Sequence, residues 1–236
     1  MKKILLVIFS AVLFTVSFGS NKIYVGTNAE FPPFEYLEKG ETVGFDMDLV
    51  NEIGKIIGKE IVIKDMGFDG LIPALQTKKI DLIIAGMTAT EDRKKAVNFS
   101  EPYYSANQVI VLNKTNKDIK DFQDLKDKKI GVMLGFTGDF VVTDMGYPSE
   151  KFNAAFAGIM ALQSNKIDAV VLDSETANNY IKKNNNLKLA EGKGEAENYA
   201  IAIRKTDEDL LNEVNSAIKT LHENGKFDEL LMKHFK

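Results

Sequence analysis

Apolar positions in this chain alternate between short continuous runs and the i, i+3, i+4 spacing of a helix face. Ile23-Tyr24-Val25-Gly26 reads as a first strand. It opens into Thr27-Asn28-Ala29-Glu30-Phe31-Pro32-Pro33, a loop, because the proline pair stops any regular element. Residues 34–36 and 42–43 read as paired short strands turning at Lys39-Gly40. Apolar residues at 49, 50, 53, 56 and 57 then keep one helical face up to Gly58, with Asp46 as the expected N-cap. Residues 61–63 form a strand. The next helix, from 69 or 70 to 78, carries Pro73 in its first turn, where a missing N–H is tolerated. A short capped helix is expected over 90–97, strands over 108–112, 129–133 and 199–203, and a helix over 178–183. Residues 207–236 read as mostly amphipathic helix broken at Gly225. The charged, turn-rich stretch 113–129 is the expected boundary between two lobes.

One unit occurs twice. Ala74-Leu75-Gln76-Thr77-Lys78-Lys79-Ile80-Asp81 returns as Ala161-Leu162-Gln163-Ser164-Asn165-Lys166-Ile167-Asp168, identical at six of eight positions. Each copy runs into an apolar segment, Leu82-Ile83-Ile84-Ala85 and Ala169-Val170-Val171-Leu172, and then into small or polar residues, Gly86-Met87-Thr88 and Asp173-Ser174-Glu175. This pattern predicts a helix–strand–loop unit used once in each of two α/β lobes. Two strand C-termini would then face a shared crevice, where open α/β sheets bind ligands. If the late strand 199–203 crosses back, the C-terminal helices belong to the first lobe, and two connections join the lobes as a hinge.

Composition narrows the function classes. Lys2 and Lys3, the apolar run 4–16 and the small residues Ser17 and Gly19 read as a secretory leader, 1–19, with cleavage expected after Gly19. The run is short for a membrane span of about 20 residues. The chain carries 30 basic and 34 acidic residues, and loss of Lys2 and Lys3 moves its net charge from −4 to −6. An acidic chain with no basic tract disfavours nucleic-acid binding. The absence of cysteine excludes disulfides, thiol catalysis, zinc–thiolate sites and a lipid-modified N-terminal cysteine. His222 and His234, about three turns apart on the C-terminal helices, are too distant for one metal. No catalytic residue, metal or cofactor is expected, and a periplasmic location follows from a leader without a lipid anchor.

Gly26-Thr27-Asn28-Ala29-Glu30-Phe31-Pro32-Pro33-Phe34-Glu35, Gly44-Phe45-Asp46-Met47-Asp48-Leu49, Gly70-Leu71-Ile72-Pro73-Ala74-Leu75-Gln76 and Ala85-Gly86-Met87-Thr88-Ala89-Thr90-Glu91-Asp92-Arg93 together form a pattern. It resembles the polar amino-acid-binding proteins of ABC transporters, the family of the bacterial glutamine-, histidine- and lysine/arginine/ornithine-binding proteins. The resemblance spans essentially the whole chain after the leader. It implies a type II periplasmic-binding-protein fold, with two mixed-sheet lobes on a two-strand hinge. Lobe one is expected at 20–108 plus 200–236 and lobe two at 109–199. The implied protein is a monomeric receptor that passes an amino acid to a membrane permease.

The resemblance also implies a site. Arg93 matches the family's carboxylate clamp, a role for which a planar guanidinium with two parallel donors is suited. Gly86, Met87 and Thr88 form the loop that hydrogen-bonds the ligand's main-chain groups, and Asp173 matches the ammonium-binding aspartate of lobe two. Thr137 and Gly138, opening a helix, match donors to the carboxylate. Phe136 stands where relatives often carry a small polar residue, which leaves the donor at that loop open. Phe31 and Phe68 match aromatic walls, which suit an aliphatic stem or a stacked guanidinium. Asn28 stands where relatives for basic amino acids often carry aspartate, and Glu30 or Asp46 could supply that charge instead. Arginine or lysine is favoured, with glutamine next. The alternative is a dehydratase on the same scaffold, acting on cyclic precursors of aromatic amino acids, with Glu30 or Asp173 as general acid.

Overall fold

The computed structural model describes residues 21–235 and puts the two copies of the repeat at equivalent places in two α/β lobes. The expected leader, 1–19, lies outside the described residues. In the first lobe the chain runs through β1 (Lys22–Thr27), β2 (Glu30–Phe31), β3 (Glu35–Glu38), β4 (Glu41–Val43), α1 (Phe45–Ile57), β5 (Glu60–Asp65), α2 (Leu71–Gln76), β6 (Leu82–Ile83), α3 (Glu91–Ala96) and β7 (Asn98–Phe99). It crosses over into β8 (Tyr104–Asn113), β9 (Ile130–Met133), α4 (Thr137–Asp144), β10 (Ser149–Phe152), α5 (Ala155–Gln163), β11 (Ala169–Asp173), α6 (Ser174–Lys183) and β12 (Leu187–Tyr199). It returns at β13 (Ala202–Ile203), and α7 (Glu208–Glu223) and α8 (Lys226–Phe235) pack on α1. The C-terminal helices therefore belong to lobe one, as a returning late strand requires.

The sheets follow the same plan. The first has order β5-β1-β6-β13-β7, with β1 parallel to β5 and β6, and β13 antiparallel to β6 and β7. The second has order β10-β9-β11-β8-β12, with β9 parallel to β10 and β11, and β8 antiparallel to β11 and β12. In each, a repeat strand lies between a parallel and an antiparallel neighbour.

The likeness of the two repeat units extends to individual bonds. Lys78 and Asn165 both adopt the left-handed conformation that ends a helix, at φ 61° and 57°. Lys79 N–H donates to Ala74 O, and Lys166 N–H to Ala161 O, each at 2.9 Å. Asp81 accepts Tyr24 N–H on Oδ2 at 2.9 Å, and Asp168 accepts Lys129 N–H at 2.8 Å. Ile80 lies over Gly26 of β1 and Ile167 over Gly131 of β9, so closely that a Cβ on either glycine would overlap the isoleucine δ-methyl. The repeated octapeptide thus sets the helix exit, the pinning of the neighbouring strand and the layer contact in both lobes.

Three expectations from sequence are corrected. Asp46 is not an N-cap: Gly44 holds that position, and Asp46 is the second residue of α1, fully buried. The stretch 113–129 is no boundary, because Ile119, Phe122 and Leu125 are buried in a lobe-two core with Ile110, Leu112, Ile130 and Val132. The crossing instead lies at 100–103 and 200–201, side by side: Ser100 N–H donates to Ile201 O and Tyr103 N–H to Tyr199 O, both at 2.9 Å. β8 already pairs with β12 at Tyr104, four residues before the apolar run that reads as a strand. The polar residues Ser105 and Asn107 hide that start, since β12 defines it rather than local pattern.

The glycine–isoleucine contact gives a stability test. Gly26→Ala forces Ile80 and Leu71 to shift and is expected to lower the unfolding free energy by about 1–3 kcal/mol. Gly70→Ala, with an ordinary φ of −82° and open space at its Cβ, should change it by less than about 0.5 kcal/mol. Urea unfolding of both variants checks the contrast.

Candidate functional site

The loops after β6 and β11 meet across the crevice, as equivalent units should. Gly86 follows β6 with φ +51°, and a Cβ there would strike the Phe31 ring, so only glycine fits. Its N–H donates to Asp46 Oδ2 at 2.9 Å, and Tyr103 OH donates to the same oxygen at 2.8 Å. Asp46 therefore acts from behind the loop, holding the Gly86 backbone rather than facing the crevice. Glu35, buried beside it, has no N–H or O–H donor on either oxygen, nor does Asp46 Oδ1. The two carboxyl groups face each other. A proton on Glu35, whose pKa burial and Asp46 push well up, joins them in a hydrogen bond. Met87 is in the core, with its carbonyl accepting Ala200 N–H at 3.1 Å.

Arg93 is 8% exposed. Thr90, the N-cap of α3, accepts the Arg93 N–H at 3.3 Å and places the side chain toward lobe two. Arg93 Nη1 donates to Thr88 O at 2.8 Å, and Nη2 crosses the crevice to Gly135 O at 2.9 Å. The guanidinium stands 5.2 Å from the Phe68 ring centre and 5.9 Å from that of Phe140. Burial lowers its pKa to about 10 against the pull of Asp173, Glu197 and Tyr199, so it stays charged at neutral pH.

On the lobe-two side, Asp173 is 3% exposed. It occupies the N-cap position of α6 without capping it, because its Oδ1 accepts Tyr199 OH and, at 2.9 Å, Gln108 Nε2. Burial pushes its pKa up to about 7; Glu197 adds to the rise, and the Tyr199 and Gln108 bonds oppose it. Glu197, on β12, gathers the Thr88 hydroxyl at 3.0 Å, the Thr137 hydroxyl and Gln108 Nε2 at 3.3 Å. Both threonine hydrogens are thus directed to a carboxylate; the Thr137 oxygen accepts Gln108 Nε2 at 2.9 Å, and the Thr88 hydroxyl is left as an acceptor. The donors left at the α4 start are backbone N–H groups outside the intrahelical ladder, those of Thr137 and Gly138.

Phe31 and Phe68 both face Phe136. Its ring centre is 5.0 Å from Phe31 and 3.8 Å from Phe68, in the latter case stacked at 28°. Beyond Phe68 the crevice widens into a cavity of about 520 Å³ lined by Asn28, Glu30, Asp65, Asp69, Leu134 and Asn153, among others. Asn28 donates from Nδ2 to Met66 O at 3.1 Å, and its buried Oδ1 has no partner. Burial and Asp65 raise the pKa of Glu30.

The structure thus brings Gly86, Thr88, Arg93, Thr137, Gly138 and Asp173 to one interface between the lobes, with Phe31 and Phe68 beside them and Asn28 and Glu30 at the cavity. It puts Asp46 and Met87 behind the loop. Sequence reasoning did not single out Glu197, Gln108, Tyr199 and Glu35. Nothing local marks the first two, which come from strands whose pairing alone brings them to the crevice.

A sequence model of the bacterial extracellular solute-binding proteins, family 3, matches residues 23–236. The chain belongs to this family. The arginine-binding extracellular protein ArtP of Bacillus subtilis (strain 168) is 38% identical over 224 residues, covering 92% of this chain and 87% of that protein. Two solved structures are similar along most of the chain. An ancestral arginine-binding protein bound to arginine has TM-score 0.87 and 43% identity, covering 92% of this chain and 99% of its own. An ancestral amino-acid-binding protein described as a precursor of cyclohexadienyl dehydratase has TM-score 0.87 and 36% identity, covering 92% and 96%. This protein is a family 3 amino-acid-binding receptor with the type II periplasmic-binding fold. Among the described residues no helix is long and apolar enough to cross a membrane.

The buried acids predict a pH dependence. Asp46, at about 6, and Asp173, at about 7, both lie above the ordinary aspartate value of 3.8. The native state therefore holds these protons more tightly than the unfolded chain. The resulting stability is whole below about 4 and fades as pH rises through about 6 and then about 7. The urea midpoint should fall between pH 5 and pH 8, by an amount worth on the order of a few kcal/mol. Asp173→Asn should make that fall shallower, by the share that Asp173 loses between about pH 4 and 7.

Proposed function

We propose that this receptor captures a basic L-amino acid, arginine or lysine, between its lobes in the periplasm and delivers it to an ABC importer. Arg93 takes the ligand's carboxylate, supported by the N–H groups of Thr137 and Gly138. Asp173, with the acceptor hydroxyl of Thr88 and the Gly86 carbonyl, takes the ammonium. Phe31 and Phe68 flank the stem. The tip enters the cavity beside Asn28.

The observation that carries the choice of ligand is the chemistry of that cavity. Asn28 Nδ2 spends one of its two hydrogens on Met66 O, and its Oδ1 is an acceptor that is buried and unpartnered. Such a group calls for a donor. Glu30, Asp65 and Asp69 line the same space, and no lysine or arginine does among the described residues. A tip made only of donors, guanidinium or ammonium, satisfies both features. A glutamine carboxamide would bring an acceptor oxygen to a cavity lined by three acidic side chains. Near Arg93, the carboxylates Asp173 and Glu197 outnumber the one cation, which again favours a ligand with net positive charge. Aromatic walls favour the planar guanidinium over the ammonium.

A dehydratase reading has one specific support: Asp173, near 7 and buried, could hold a proton for general acid catalysis, and one similar structure is a precursor of such an enzyme. The paired guanidinium and aspartate describe a zwitterion better than an amine-free acid. Turnover of prephenate or arogenate by the pure protein would reverse the preference.

Binding is tested by thermal shift across the amino acids. A ligand at 100 times its Kd stabilises by about 2.7 kcal/mol, so arginine and lysine should raise the Tm by several degrees and glutamine by much less. A shift with glutamine alone would overturn the ligand assignment. Arg93→Ala should abolish the arginine shift. Lys94→Ala, which only breaks a surface pair with Glu91, should keep it.

A further inference from the structure

We propose that Phe136 is an internal competitor for the binding slot, an affinity-setting residue whose ring holds the place of the ligand's stem. The inference rests on the reading of Arg93, Phe31 and Phe68 as the grip on an amino acid.

The ring comes from lobe two and sits against both aromatic walls of lobe one, stacked on Phe68 and tilted against Phe31. It is 4% exposed. Phe31 cannot retreat, because its other side is closed by Phe34, 5.7 Å away, and its edge by the Gly86 backbone. The Phe136 ring thus occupies the face of Phe68 at 3.8 Å and lies 5.0 Å from Phe31, so it covers the surfaces a ligand stem would need. A stem that lies between Phe31 and Phe68 therefore requires Phe136 to leave.

The preceding residue makes the mimicry more complete. Gly135 O accepts from Arg93 Nη2, while Thr88 O already takes Nη1. Residues 135 and 136 thus present an oxygen to the guanidinium and a side chain to the aromatic walls, as an amino acid would. Little in the loop ties the ring in place beyond the stack itself. Gly135 has φ +76°, a conformation that favours glycine. Phe136 occupies the N-cap position of α4, where a serine or threonine oxygen would tie the helix start, and it makes no side-chain cap bond. Phenylalanine at that position gives up a helix-stabilising bond and gains the interlobe stack.

The consequence follows from population arithmetic. Every ligand that enters the slot first displaces the same ring, so the apparent affinity is the intrinsic one reduced by the fraction of molecules with the slot open. The same stack holds the lobes together before a ligand arrives.

Phe136→Thr tests both effects, with Phe136→Leu as a second variant that keeps apolar bulk without ring stacking. Arginine affinity, by calorimetry, should rise about tenfold in Phe136→Thr and less in Phe136→Leu. The chain has no native cysteine, so Glu41→Cys and Glu150→Cys on exposed strands of the two lobes allow paired fluorescent labels. Before arginine is added, interlobe transfer should be high in the parent chain and lower in Phe136→Thr. With saturating arginine the two should converge. Weaker arginine binding in both variants would mean that the ring is a third wall of the site, and the proposal fails. Unchanged interlobe transfer in Phe136→Thr also defeats it, whatever the affinity. A parent chain that binds no amino acid, with a Phe136→Thr chain that gains binding, supports it. Failure of both to bind any amino acid defeats the functional reading and this inference together, whereas unchanged arginine affinity in the variants defeats this inference alone.

Discussion

A guanidinium with little access to water must be compensated, and the crevice is arranged around that need. Arg93 cannot discharge at neutral pH, since burial lowers its pKa only to about 10. Its donors must find oxygens, and they find Thr88 O on its own lobe and Gly135 O on the other. A buried charge is tolerated only with partners and hydrogen bonds in place. The cation therefore favours any state that brings an oxygen across the crevice, whether a lobe-two carbonyl or a carboxylate lying between the lobes. Asp173 and Glu197 balance it from lobe two without contacting it. They leave an anionic surplus that is consistent with a cationic ligand.

That balance depends on how the loop backbone after β6 is held. The strand β6 has only two residues, Leu82 and Ile83, so the sheet alone does not fix Gly86 and Thr88 beyond it. The Asp46 carboxylate does so, from the second position of α1, by accepting Gly86 N–H and Tyr103 OH. An aspartate in a fully buried place needs the Glu35 proton beside it, since two facing carboxylates without one would repel strongly. Charge economy behind the loop and charge complementarity in front of it are thus two ends of one arrangement, with the Gly86 peptide between them.

The repeat was the most legible part of the sequence because its information is local. A helix exit, a strand-pinning aspartate and an isoleucine over a glycine lie within or next to eight residues, and both copies fold the same way. Arg93, Asp173, Phe31 and Phe68 were legible through motif context. Asp46 was misread because an acidic residue at a helix start is usually an N-cap, and its true partner lies forty residues away in Gly86. Glu197 and Gln108 were invisible for a different reason. Leu187–Tyr199 reads as a polar, glycine-containing stretch, yet it forms the long edge strand β12 by pairing with β8 through two register shifts. Side chains that reach a site only through long-range pairing leave no periodic trace. The interlobe crossings at 100–103 and 200–201 were displaced for the same cause.

Tyr199 joins these threads. It is the last residue of β12, at the edge of one crossing segment, and it is fully buried. Its hydroxyl bonds Asp173, its backbone pairs with Thr88 in an isolated bridge, and its ring lies 5.2 Å from Phe34 and 6.1 Å from Tyr104 at the other crossing. The residue that orients the lobe-two aspartate is therefore also the residue around which the two connections pack. The position of the Asp173 carboxylate and the packing of the two connections are therefore set by one side chain. On the reading proposed above, the cavity beside Asn28 and the ring at 136 set the choice and affinity of the ligand, and neither is among the ring contacts of Tyr199.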